Sequence, residues 1–417
     1  GGGDDDEPSP PTPALPFEDI SAHAPFALSD GTSGDKPKIQ RTANGTLVVV
    51  YGDAPDNGRA VYDVKTAAER PARDIFVKTC KPDAGKTCDA AADWSAAVNL
   101  SQSSAKSSFN AEWRGALDPG LKAYPGDIDK ANLKTSSSIL VVTWVGKYCP
   151  DGDLVTPGVQ ASRQRAIKYI ERNGRVVPFS CAWLSRSLNS GASWSAPVQL
   201  STGERDAIQD SSWGNFNPDD KKGQVTITWQ EDPQGLQLGE ADGPGDGASG
   251  ANVNGGTDVW YTHATIDLSA PDTPADDFVL AAAVRLSDNW QGQYGISGSL
   301  NPIHDGSGAN VDPGAIEKGV AGASRPSISM VGATTLVAYE ETKGSEGLDE
   351  GKFIRYHAFA FGAPPSDAQG RAGCIISDPL KNARRVRLLT QGPADAGPGG
   401  IQLALFWKEG IYDKGGP

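Results

Sequence analysis

Glu231-Asp232, Glu340-Glu341 and Glu409 each follow an aromatic residue that closes a short apolar run: Trp229 in VTITW, Tyr339 in TLVAY and Trp407 in IQLALFW. Acids that recur at one place in a pattern can share a face, and paired carboxylates are the equipment for acid–base cleavage of glycosidic bonds. The plainer reading is solvated loop carboxylates in a chain that carries 52 Asp and Glu. A second acidic set, Asp242, Asp246, Asp258, Asp305 and Asp312, lies in two Gly- and Asn-rich loops, 240–258 and 304–312. Carboxylate and carbonyl oxygens on flexible loops suit Ca²⁺, although the spacing is neither that of an EF-hand nor of a nonapeptide repeat. His263 and His357 occupy like places (Tyr261-Thr262-His263 and Tyr356-His357), whereas His23 and His304 are scattered. A copper or zinc site would draw on the first two, and satisfied structural histidines are the alternative. With one Met and no Cys/His cluster, a soft-metal site has no obvious ligand set. Tyr51, Trp144, Trp229, Tyr339 and Trp407 would either stack sugars or form the outer core of the strands they end.

The elements that must position these residues repeat along the chain. Thr46–Tyr51, Ile139–Trp144, Val225–Trp229, Thr335–Tyr339 and Ile401–Trp407 are short, β-rich and aromatic-ended. A second element follows: Asp74–Val77, Ala182–Ser185, Asp258–Tyr261 and Phe353–Tyr356. A third ends each unit with alternating Val and Leu: Trp94-Ser-Ala-Ala-Val98-Asn-Leu100-Ser101, Trp194-Ser-Ala-Pro-Val198-Gln-Leu200-Ser201, Val284–Ser287 and Arg385–Thr390. A preceding strand shows in Pro37–Ile39 and Arg325–Ser329. Four strands per unit, in units about 37–102, 138–202, 213–288 and 325–391 with an incomplete unit 399–417, is the grammar of propeller blades with long loop insertions. The fifth unit reads as a lone opening strand. Its bare pairing edge calls for a complementing polypeptide or a C-terminal continuation.

Composition narrows the classes. A formal charge of −14 with no basic run excludes a nucleic-acid partner, whose phosphates require Lys and Arg. No run approaches the roughly 18 apolar residues of a membrane span. Fifty Gly and 30 Pro against one Met describe strands and turns rather than helices. Of five cysteines, Cys80 and Cys88 bracket a short loop, and Cys149 and Cys181 flank a long polar excursion. Disulfides at both places would staple the chain, with Cys374 left over; buried thiols are the alternative. Residues 1–24 open on Gly, Asp and Pro and read as a disordered tether ahead of a β domain over 25–417.

Ser187-Leu-Asn189-Ser-Gly191-Ala-Ser193-Trp194 resembles the Asp-box, Ser-x-Asp-x-Gly-x-Thr-Trp, of sialidase-like β-propellers, with Asn189 in place of the acid. A damaged copy, Asp83–Thr87, stands at the equivalent place in the first unit. The resemblance covers about 36–391 and implies a hairpin turn between the third and fourth strands of a blade. It implies a fold of six blades, about four of them complete here. The acidic, Pro-rich start is similar to the tether of bacterial surface lipoproteins, and with the propeller it resembles "choice-of-anchor" surface proteins. A sialidase would carry an aromatic-Arg-Ile-Pro motif near the first blade, but the corresponding stretch, Asp35–Ile39, holds no Arg; Arg325-Pro326 lies three units later.

The expectation is therefore an all-β, sialidase-like propeller acting as a non-catalytic extracytoplasmic binder or scaffold, with a glycan or protein as ligand. It would be periplasmic or on the outer membrane or cell surface, touching a membrane only through an N-terminal lipid anchor. A glycoside hydrolase or lyase with axial carboxylates is the alternative, and a Ca- or Cu-binding surface protein the second.

Overall fold

The computed structural model describes residues 10–11, 24–31, 33–55, 59–150, 166–217, 222–232, 235, 257–269, 278–287, 303–304, 310–311, 322–342, 352–365, 373–378, 381–391 and 402–410. From the N-terminal side come β1 (Asp35–Arg41), β2 (Leu47–Asp53), the hairpin β3 (Ala60–Asp63) and β4 (Ala68–Pro71), then β5 (Asp74–Cys80) and β6 (Val98–Asn99). Strands β1-β2-β5-β6 pair antiparallel in that order, with β3–β4 inserted between β2 and β5. A hairpin of β7 (Phe109–Ala111) and β8 (Lys122–Tyr124) leads to β9 (Ile128–Ser136) and β10 (Ile139–Gly146). The hairpin β11 (Ala166–Tyr169) and β12 (Arg175–Pro178) precedes β13 (Cys181–Ser187) and β14 (Val198–Gln199), giving a second sheet β9-β10-β13-β14.

The third sheet joins β15 (Asp206–Asn217), β16 (Lys222–Asp232) and β17 (Asp258–Asp267), with β18 (Phe278–Leu280) and β19 (Val284–Arg285) sharing the outer edge. After a small hairpin, β20 (Ile303–His304) and β21 (Asn310–Val311), the fourth sheet is β22 (Ala323–Val331), β23 (Thr334–Thr342), β24 (Lys352–Ala360) and β25 (Cys374–Ile375). Last come β26 (Asn382–Gln391) and β27 (Gln402–Gly410), paired with each other. No α-helix occurs among the described residues, only short 3₁₀ turns.

Each sheet packs on the next in chain order, and the first strands touch in series: β1 on β9, β9 on β15, β15 on β22, β22 on β26. Sheets stacked this way with their opening strands gathered together are the blades of a propeller. Apolar cores fill the seams. Val48, Val50 and Ile75 meet Leu133, Leu140 and Trp144 between blades one and two. Val141 and Leu184 meet Ile227 and Trp229 at the next seam, and Val259 and Tyr261 meet Val337 and Tyr339 at the third.

The ending Val-x-Leu-Ser has a structural cause. In blade one Leu100 N–H donates to the Ile75 carbonyl at 2.7 Å while Ser101 Oγ accepts the Ile75 N–H at 2.9 Å. The same two bonds join Leu200 and Ser201 to Ala182, and Leu286 and Ser287 to Val259. In blade four they are made by Ile376 and Ser377 to Ile354, at 3.0 and 2.9 Å. Cys374–Ser377 is thus the fourth copy. The expectation that Arg385–Thr390 closes the fourth blade is corrected: it lies in β26 and pairs with β27, so the fifth sheet shows two strands rather than one. Arg385–Thr390 mimics the alternation but lacks the serine that closes this pair of bonds.

The turn at Ser187–Trp194 joins β13 to β14. Asn189 Oδ1 accepts the Ser193 N–H at 2.9 Å, and Ser187 Oγ accepts the Gly191 N–H at 2.8 Å. Gly191 sits at φ +88°, where a Cβ would come within 2.9 Å of Thr79. Trp194 packs against the core of the first seam. In the first blade Asp83 Oδ1 accepts the Gly85 N–H at 2.8 Å in the corresponding turn. Disulfides join Cys80 to Cys88 and Cys149 to Cys181, and Cys374 is an exposed free thiol.

Candidate functional site

One irregularity recurs in the opening strand of every blade. Lys36-Pro37 face Tyr51, Asp129-Lys130 face Val145, Gln209-Asp210 face Trp229, Arg325-Pro326 face Tyr339, and Arg385-Val386 face Trp407: two residues against one each time. Such bulges twist a strand and re-aim the side chains they carry. Here each delivers a charge to the end of the molecule where β2, β10, β16, β23 and β27 finish. Lys36, Arg325 and Arg385 adopt φ of 45°, 52° and 57°, a left-handed conformation that costs a non-glycine residue energy and so marks positions of interest.

The inserted hairpins rise at this same end. Together with the starts of β9 and β15 they enclose a cleft of about 240 Å³. A satellite core of Val61, Tyr62, Trp113, Tyr124 and Val177 ties the three hairpins together. Arg70 from β4 grips Asp127 in a fork, both bonds 2.8 Å, and reaches Asp63 at 3.2 Å. The Arg73 N–H donates to the same Asp127 at 3.0 Å. Asp210 is buried and accepts from Thr143 Oγ1 at 2.6 Å and Asn132 Nδ2 at 2.8 Å, which fixes blade two against blade three. These groups are walls.

Two residues of the β9 bulge are open to a ligand. Burial would raise Asp129, but 59 % of its side chain stays accessible, and Lys36 Nζ at 2.6 Å holds it below the usual carboxylate range. Lys130 is half-buried and makes no hydrogen bond or ion pair with a described residue. Desolvation lowers its pKa; Asp210 and Asp129 oppose that shift, while Lys38 and Lys36 add to it. Tyr169 offers a half-buried ring beside them. A cation, an anion and an aromatic ring thus stand on one strand and one hairpin.

The acids singled out in the sequence do come to the ends of second strands, but each is already committed. Glu231 is 3 % exposed, pairs with Arg205 and accepts from Trp229 Nε1 at 2.9 Å. Glu340 is fully buried between Lys352 Nζ at 3.1 Å and the Arg385 N–H at 2.7 Å, with Arg384 at 3.8 Å. Burial would raise it; Lys352, the Arg385 N–H and the nearby arginines prevail and hold it ionised. Glu409 accepts from the Asp378 N–H at 3.0 Å and from Trp407 Nε1 at 3.4 Å. None of the three is brought into the cleft. Tyr51, Trp144, Trp229 and Tyr339 are blade core, 4 % exposed or less, and Trp407 is partly buried in the last seam.

Asp258 accepts from Ser287 Oγ and pairs with Arg285 at 3.3 Å, as a strand clasp would. Asp242, Asp246, Asp305 and Asp312 lie outside the described residues, as does His23. Among the described residues no three His, Cys, Asp or Glu side chains gather as a metal site. His357 is buried against the Tyr339 hydroxyl at 2.8 Å, and His263 stacks on Tyr261, so each is engaged by an aromatic ring of the third seam. Missing from the sequence reading were Asp129, Lys130 and Asp210, whereas Lys36, Arg325 and Arg385 lie in stretches it names. Their one signal is a charged residue standing 14–22 positions ahead of the aromatic that closes each run.

No family model matches this sequence, and no curated protein does. Solved structures of similar fold include a Hadza microbial sialidase at 10 % identity and TM-score 0.34, covering 91 % of this chain and 57 % of the other, so the chain spans little more than half of that protein. A Penicillium chrysogenum α-L-arabinanase bound to arabinobiose shares 12 % identity at TM-score 0.33, covering 91 % and 80 %. A thermostable family-43 glycoside hydrolase shares 10 % at 0.30, covering 94 % and 88 %.

Proposed function

We propose that this propeller recognises a glycan in the cleft above blades one to three, outside the cytoplasm. The observation that carries the reading is the β9 bulge. It presents an ionised, accessible Asp129 and a half-buried Lys130, without a hydrogen bond or ion pair to a described residue, together with Tyr169 in a concave site held rigid by Arg70–Asp127 and by Asp210. Amphipathic sugars are bound by such mixtures of aromatic surface and few fixed polar groups. Two disulfides fit an oxidising compartment.

Glycoside hydrolysis in this cleft is the second reading, and it is the activity named for the sialidase and arabinanase above. Asp129, ionised and accessible, would serve as base or nucleophile, with Asp210 behind it. Against this, Asp129, the accessible carboxylate of the cleft, is displaced downwards, whereas a general acid requires an upward shift. Calorimetric titration with an oligosaccharide panel, alongside product analysis, decides between them. Binding weakened about tenfold or more in Lys130→Ala, without turnover, supports recognition. Turnover abolished by Asp129→Asn establishes the hydrolase, and binding indifferent to both substitutions removes the cleft.

A strand-donating partner also stands as a proposal. β27 pairs on one edge only among the described residues, and Phe406 keeps 59 % exposure there. Native mass measurement of the purified protein showing an isolated monomer with no companion polypeptide contradicts it.

A further inference from the structure

The seam between blades one and two opens sideways into a groove of about 550 Å³ that shares no lining residue with the axial cleft. One wall is β6 and the turn after it; the other is Trp144, Tyr148, Trp183 and the segment 194–197 that follows the Asp-box turn. Tyr148 and Trp183 lie parallel, centroids 5.9 Å apart and planes 7° from coplanar. Trp183 Nε1 donates to the Tyr148 carbonyl at 3.0 Å, which locks the pair. The Cys149–Cys181 disulfide joins the residue after Tyr148 to the strand that carries Trp183, and the Cys149 N–H is held by Ser108 Oγ at 2.9 Å. The platform is built, not incidental.

Around it stand polar groups with no hydrogen-bond partner among the described residues. The Tyr148 hydroxyl, the Gln102 side-chain amide and the Lys106 ammonium make no hydrogen bond or ion pair with a described residue; Lys106 hangs 5.7 Å from the Tyr148 ring centroid. Gln102 is held out at φ 49°, in the left-handed region. We propose that this groove is a second saccharide site, in which a neutral pyranose lies against the Tyr148–Trp183 stack and bonds through its hydroxyls to Gln102 and Lys106. A sugar ring has the matching character, an apolar C–H face with donors and acceptors around its rim, and the volume accommodates about two rings. An unbranched apolar ligand would leave those three polar groups unpaired under it. The site stands independently of the axial cleft, and occupancy of both would raise avidity for a long glycan.

Intrinsic tryptophan fluorescence reads the groove directly, because Trp144, Trp183 and Trp194 line it. The full chain is titrated with cellotriose, maltotriose, xylotriose and arabinotriose, and in parallel with a proline-rich decapeptide. A saturable fluorescence change with one or more trisaccharides is expected, weakened about tenfold in Tyr148→Ala, which removes the stacked ring. Lys106→Ala and Gln102→Ala, both at exposed positions, weaken it without touching the fold. Lys130→Ala still shows it, which separates this site from the axial one. No saturable change with any sugar, a change indifferent to all three groove substitutions, or a response to the peptide alone overturns the proposal.

Discussion

Replacing Asp74 with Ala unfolds the protein more easily by an amount that follows from its contacts. Asp74 opens β5 and is 1 % exposed. Its carboxylate accepts from Ser101 Oγ at 2.6 Å, the Ser103 N–H at 2.8 Å, the Ser104 N–H at 3.1 Å and Asn99 Nδ2 at 3.0 Å, with Ser104 Oγ as well. These bonds tie the outermost strand of blade one and the turn beyond it to the third strand. Truncation leaves at least three buried donors unpaired, each costing about 1–3 kcal/mol when orphaned. Partial relaxation brings the expected loss to about 3–5 kcal/mol. Asp74→Asn keeps the shape and one acceptor and loses the charge, for about 1–2 kcal/mol. Burial alone would raise the Asp74 pKa, but the bonds from Ser101, Ser104, Asn99 and Ser103 outweigh it and hold the carboxyl below the usual range. A depressed folded pKa gives stability that is present above the unfolded value near about 3.9 and is lost as pH falls through the folded one. Asp74→Asn should therefore flatten the acid limb below about pH 4. Urea unfolding followed by fluorescence and circular dichroism measures both effects. A cost for Asp74→Ala under about 0.5 kcal/mol would refute the clasp as a stabilising device.

Three further outcomes are expected. Gly191→Ala, forced into φ +88° and against Thr79, lowers stability by about 1–3 kcal/mol in the same assay. Glu231→Gln breaks the Arg205 pair and shifts the urea midpoint down, yet leaves glycan affinity in calorimetry within about twofold, because the acid is structural. Replacing Cys149 and Cys181 together by Ser costs about 2–4 kcal/mol and weakens the fluorescence response of the lateral groove more than binding in the axial cleft.

The second and third strands were legible because both of their faces are apolar: β10 and β13 bury nearly every side chain, so their runs stand out against Gly- and Pro-rich loops. The Val-x-Leu-Ser endings were legible because one bond geometry repeats. The opening strands β9 and β15 were not. They line the axis, alternate Ala131 and Leu133 with Lys130 and Asn132, and are broken by bulges that spoil a period of two. Arg385–Thr390 was misplaced for the related reason that β26 alternates like an outer strand. Local pattern located the acids at strand ends, but the cations that neutralise them, Arg205 for Glu231 and Lys352 for Glu340, are distant in sequence or on another strand, so commitment to ion pairs could not be read. The cleft itself is made by three short hairpins whose sequences carry no repeat signal.

A crystal structure of the protein with the tightest-binding oligosaccharide of the panel tests the central claim most directly. The account predicts a sugar residue in the axial cleft within hydrogen-bond distance of Lys130 Nζ and the Asp129 carboxylate, its ring against Tyr169. Glycan bound at the strand ends of Glu231, Glu340 or Glu409, with the β9 bulge left in solvent, would contradict it.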